Sequence, residues 1–143
     1  MKLTRSFTLE ELTHTSTGLP NNPDMEDAVR LADLASTLLQ PVRDFWGGVS
    51  VTSGYRGAAV NARVGGSSTS QHCKGEAADI VPLEATCEQV FRWIVKDSGL
   101  CYGQCIWEKK GGKEWVHVSL PRKNKPNLQA MTYDGKEYKP YHG

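Results

Sequence analysis

The segment Ser70–Ile80, "SQHCKGEAADI", crowds a histidine, a cysteine, a lysine, a glutamate and an aspartate together before the chain turns apolar. A second histidine stands far along the chain, in "EWVHVSL" at Glu114–Leu120. His72, Asp79 and His117 have a chemistry in common. Two imidazoles and one carboxylate on neighbouring strands supply three metal ligands and leave a fourth tetrahedral position open for water, which is what separates a catalytic zinc from a structural one. The metal would lower the pKa of that water toward about 7 and polarise a carbonyl, and the water would still need a base. Glu114, three residues ahead of His117, is the expected base. The same spacing also suits two histidines on a polar sheet surface and an aspartate facing a turn.

The elements around these residues must bring them together. Gly75 lacks the side chain that would prevent a tight turn after His72, so a strand through Asp79 can return beside it. In the β-rich run, His117 shares a face with Trp115 and Ser119 by alternation. "GQCIWEKKGGKEWVHVSL" reads as two strands around a Lys-Gly-Gly turn, "GGVSVTSGYR" and "AADIVP" as further strands, and the Asp-Gly in "QAMTYDGKEYKPYHG" as a last small hairpin. Thr8 with Glu11 is a capping-box pattern for a helix to about His14. Asn22 and Pro23 predict the start of a long helix in which Met25, Val29, Ala32, Leu34, Leu38, Leu39, Val42 and Phe45 recur toward Trp46, with Pro41 kinking or breaking it near its end. Cys87, Val90, Phe91, Ile94 and Val95 lie on one face of another helix, which Gly99 ends. With no steady alternation of strand and helix, the expected class is α+β, a small antiparallel sheet with helices packed on it.

The chain has 143 residues, the size of one domain, 1–143. Seventeen Lys+Arg against sixteen Asp+Glu leave a formal net charge of +1, with no basic run dense enough to track a phosphate backbone. Nucleic acid is therefore not an expected partner. No apolar run approaches the roughly 20 residues that span a bilayer, and the opening "MKLTRSFTLEELTHT" lacks an apolar h-region. The expectation is a monomer without membrane association or Sec-type signal, made in the cytoplasm with reduced thiols. Cys101 and Cys105 form a CxxxC pair, but the second ligand pair of a structural zinc is missing, and Cys87 falls on an apolar stripe. His14 and His142 read as surface residues.

"SQHCKGEAAD" resembles the SxHxxGxAxD signature of the zinc D-Ala-D-Ala carboxypeptidase family, and "EWVH" resembles its ExxH signature. Upstream, "VTSGYRGAAVNARVGGSSTSQH" is similar to the family's SGYR-x-x-x-x-N segment. The likeness runs in order from about Phe7 to Ser119 and is nearest the short, phage-type branch. This family includes D-Ala-D-Ala carboxypeptidases, the dipeptidases of vancomycin resistance and phage endolysins that cut L-Ala-D-Glu bonds in peptidoglycan.

The resemblance implies a fold shared with the hedgehog signalling domain. It implies that His72, Asp79 and His117 bind Zn2+, that Glu114 is general base and acid, and that Arg56 of "SGYR" faces the substrate carbonyl or carboxylate. Ser70, Gln71 and Trp115 are the remaining candidates for contact with the peptide. In a straight strand Glu114 and His117 face opposite ways, so a bulge near Trp115 would have to swing Glu114 inward. Glu108 is the reserve candidate and Glu76 a more distant one. Val116 stands where the dipeptidases tend to have tryptophan, and Cys73 reads as packing beside the site. The expected activity is hydrolysis of peptidoglycan stem peptides at the bacterial cell wall, by an endolysin-like enzyme of phage or prophage origin or by a D,D-carboxypeptidase. The alternative is an inactive zinc-stabilised module for wall binding or virion assembly.

Overall fold

Thr8 caps the first helix, α1 (Leu9–Thr13), accepting from the Glu11 amide while the Glu11 side chain accepts from the Thr8 amide. This is the capping box expected from the sequence, in the computed structural model of residues 1–143. Helix α2 (Met25–Leu34) begins two residues later than Asn22–Pro23 suggests, because Asp24 is the cap: its carboxylate accepts from the Asp27 amide at 2.8 Å. Pro41 does not break the helical run beyond Leu34. The chain widens into a π turn over Ala35–Leu39, in which the Gln40 amide donates to Ala35, and α3 (Gln40–Trp46) then runs on with Pro41 in its first turn. The wider turn accommodates a proline that has no amide to give. Leu31, Leu34, Leu38, Leu39 and Val42 are buried, whereas Met25, Val29 and Phe45 of the expected stripe are exposed.

Six strands form one sheet: β1 (Val49–Ser53), β2 (Ala77–Pro82), β3 (Gln104–Lys110), β4 (Lys113–Ser119), β5 (Gln129–Tyr133) and β6 (Tyr138–Pro140). Their order is β1-β2-β4-β3-β5-β6. The sheet is antiparallel except at one pair, since β5 runs parallel to β3. That exception arises from the connection: after β4 the chain crosses back before starting β5, so β5 begins at the same end as β3. Helix α4 (Ala58–Arg63), where no helix is expected from the sequence, is short and has only Gly57 as its cap, without a side-chain bond. Helix α5 (Cys87–Lys96) is capped by Thr86 and Gln89 in a second capping box.

The sheet has two unlike faces. One carries Ala78, Ile80, Cys105, Val116 and Val118, which join Val90, Phe91 and Ile94 of α5 and the leucines of the long helix in a cluster of 21 buried residues. Each fully buried Leu, Ile, Val or Phe there contributes about 1.5–3 kcal/mol relative to exposure. Alternation along the strands places Asp79, Ile106, Glu108, Trp115 and His117 on the other face. No helix is long and apolar enough to cross a membrane.

Candidate metal centre

His72 sits in a 3₁₀ turn, Gln71–Lys74, held at both ends. At its start the Ser70 hydroxyl accepts from the His72 amide at 3.2 Å. At its end Gly75 has φ 75°, and a Cβ there would lie 2.5 Å from the Asp27 carbonyl oxygen of α2. Only glycine meets both demands, and with it the chain enters β2 directly, carrying Asp79. The β2–β4 register sets Asp79 opposite His117.

Ligand atoms of His72, Asp79 and His117 all lie within 4.8 Å of one another. Asp79 Oδ1 is 3.3 Å from His72 Nε2 and 3.0 Å from His117 Nδ1. His72 Nδ1 is 2.8 Å from the Gly54 carbonyl oxygen, which can only accept, so Nδ1 carries the proton and Nε2 keeps its lone pair for the centre. An outer hydrogen bond of this kind orients a ligating imidazole. Burial opposes ionisation of Asp79; protonated, His72 and His117 outweigh it by charge and hydrogen bonds and hold the carboxyl well below the usual range. In the neutral form that binds a metal, His72 turns its Nε2 lone pair to the centre instead. Two neutral-capable imidazoles, one preset in tautomer, and a carboxylate that stays anionic fit zinc with three protein ligands.

Glu114 does not join them. It is exposed, and its Oε1 accepts from Trp107 Nε1 at 2.7 Å on the opposite face of the hairpin. The physical reason is regular pairing: β3 and β4 match residue for residue, with Lys109 opposite Glu114 and Ile106 opposite His117, so no bulge turns Glu114 inward. Glu108 faces the site instead. It is only 8 % exposed and accepts from Trp115 Nε1 at 3.2 Å. Burial pushes its carboxyl up, His117 pulls it down, and Asp79 pushes it up again, for a net rise. The hairpin signal in the sequence already contained this placement, because a two-residue Gly111-Gly112 turn pairs Glu108 with Trp115 and hence puts it on the His117 face.

The cluster lies along a groove of about 720 Å³ lined by Arg56, Ser70, Gln71 and Trp115, as well as Glu108. Arg56 Nη2 donates to the Ser70 hydroxyl at 3.3 Å, and the Arg56 amide donates to the His72 carbonyl. The Gln71 side-chain amide is committed to the Leu120 carbonyl at 3.0 Å, so it braces the groove wall. Glu76 is not part of the lining; its charge acts on Arg30. Cys73 is half-buried, and all four thiols are free. Among the lining residues that the sequence did not single out are Arg122, Tyr133 and Tyr138. The two tyrosines stack with centroids 4.4 Å apart and continue the cross-strand row from Trp115 and Glu108.

A His-Asp-His centre in a groove, with a buried glutamate on the same sheet face, is the equipment of a metal-dependent hydrolase. The chain matches the Peptidase M15 family over residues 5–119 and belongs to that family of zinc-dependent peptidases. No curated protein matches it. The family match takes in the three candidate ligands, Arg56 and Glu108, and ends before Arg122, β5 and β6.

Proposed function

We propose that the protein is a zinc peptidase acting on the stem peptides of bacterial peptidoglycan, with His72, Asp79 and His117 as ligands and Glu108 as general base and acid. The convergence of those three ligands with Glu108 on one face of the sheet carries this reading. A zinc ion held by His72, Asp79 and His117 would supply Lewis-acid chemistry, the polarisation of a carbonyl and the acidification of water near neutral pH. Glu108 takes the proton of the attacking water on its carboxylate and returns it to the leaving amine. The hydrogen bond from Trp115 holds that carboxylate toward the groove. Arg56, tethered to Ser70, offers its guanidinium to the oxygen that gains negative charge. Tyr133, Tyr138 and Trp115 give the peptide an aromatic wall.

Digestion of purified peptidoglycan with mass analysis of the fragments tests the proposal. Released D-Ala identifies a carboxypeptidase, and stem peptides freed without their L-Ala identify an L-Ala-D-Glu endopeptidase. No release by zinc-loaded protein overturns the peptidase reading in favour of a binding module.

A further inference from the structure

Two guanidinium groups in the groove have no acid of their own. Arg56 reaches only the Ser70 hydroxyl, and the Arg122 side chain makes no hydrogen bond or ion pair within the protein. The Nε atoms of both are buried without an acceptor. The carboxylates lining the groove are engaged elsewhere, Asp79 by two histidines and Glu108 by Trp115. A buried N–H without an acceptor is costly until a ligand oxygen completes its hydrogen bond, and on a guanidinium an anionic oxygen does so best.

Arg122 is also held in position by its backbone. Asn127 Oδ1 accepts from the Arg122 amide and Asn127 Nδ2 donates to the Arg122 carbonyl, each at 3.0 Å. The loop is closed by the Leu128 amide, which donates to Tyr102 at 2.9 Å. A guanidinium mounted on an anchored backbone loses less freedom when a ligand arrives, and its planar fork suits a carboxylate.

We infer that Arg122 is a substrate-binding residue that takes a free carboxylate of the bound peptide, at a point separate from the scissile carbonyl beside Arg56 and the metal centre. The inference rests on the peptidase reading above and sharpens it: the substrate is an acidic peptide. Arg122 lies beyond the stretch that matches the family, so this contact tailors the specificity of this chain and leaves the shared chemistry untouched.

The test is calorimetric binding to zinc-loaded Glu108→Gln protein, using an L-Ala-D-Glu-containing stem tetrapeptide and the same peptide with each carboxylate amidated in turn. One amide is expected to bind about 10- to 100-fold more weakly than the free acid, the range of a charge-assisted hydrogen-bond pair. Adding Arg122→Gln should weaken the free acid by a similar factor and abolish that preference, and Arg122→Lys should restore part of it. A preference that survives Arg122→Gln, an equal loss for acid and amide, or no binding of any peptide overturns the inference. If Arg122→Gln fails to fold, as judged by circular dichroism and zinc content, the amide series on the Glu108→Gln protein and on its Arg122→Lys derivative decides: no preference, or one unchanged by lysine, overturns it. Carboxylate-dependent binding through Arg122 without hydrolysis by the unaltered protein would sink the peptidase reading and leave this inference standing. Hydrolysis with affinity indifferent to Arg122 would do the reverse.

Discussion

Glu108 and Glu114 stand on the two strands of one hairpin and face opposite sides of the sheet. One looks into the groove beside His117, and the other into solvent beside Trp107. Replacing Glu108 by Gln should lower kcat by about 10²- to 10⁴-fold, the usual contribution of a general acid–base group, with zinc content unchanged. Glu114→Gln should leave kcat where it is, and the opposite ranking would reinstate Glu114. The cysteines give a second residue-level expectation. Burial pushes the Cys105 thiol up, and burial together with the charge of Glu114 pushes Cys87 up, so both hold less thiolate than an ordinary cysteine. A thiol reagent at pH 8 to 9 should modify exposed Cys101 first and spare Cys87 and Cys105 until the chain unfolds. Peptide mapping that finds Cys105 labelled as fast as Cys101 would refute the packing described.

At the scale of elements, the turn that presents His72 depends on one glycine. Gly75→Ala combines left-handed strain of about 1–2 kcal/mol with a Cβ pressed against the Asp27 carbonyl. Helix α2 or the turn must then shift. A loss of more than about 2 kcal/mol in urea denaturation is expected, given the added clash, together with weaker zinc binding in a competitive chelator titration. Gly99 has a similar φ, 70°, but a Cβ there meets nothing within 4 Å. Gly99→Ala should therefore cost only the strain and leave zinc affinity unchanged. Equal effects of the two substitutions would show that conformation alone, without the contact to α2, sets the cost.

For the whole molecule, the sheet is sealed by the core on one side, and on the other β2, β4 and the 3₁₀ turn beside them bring the candidate metal ligands together. A metal that binds only the folded arrangement stabilises all of it by mass action, by about 4 kcal/mol at a thousand times Kd. At roughly 3 °C per kcal/mol for a chain of this size, chelation should lower Tm by on the order of 10 °C, and zinc should restore it. Asp79→Asn should show much less of this zinc-dependent rise in calorimetry. An unaltered protein with no zinc dependence of Tm would remove the basis for the metal centre.

The local signals were legible because they act over a few residues: the capping box at Thr8, the glycine turn after His72, the Gly111-Gly112 hairpin and the apolar face of α5. The sequence also held the three candidate ligands, through residue type and the motifs around them. It did not by inspection reveal which glutamate faces them, although strand parity made Glu114 awkward and the hairpin register pointed to Glu108. Tertiary structure alone decided that Pro41 is absorbed by a π turn, that Met25, Val29 and Phe45 stay exposed, and that β5 adds parallel to β3. The same return of the chain brings Arg122, Tyr133 and Tyr138 to the groove. Those outcomes depend on which distant surfaces pack together, and no spacing within a single segment encodes that choice.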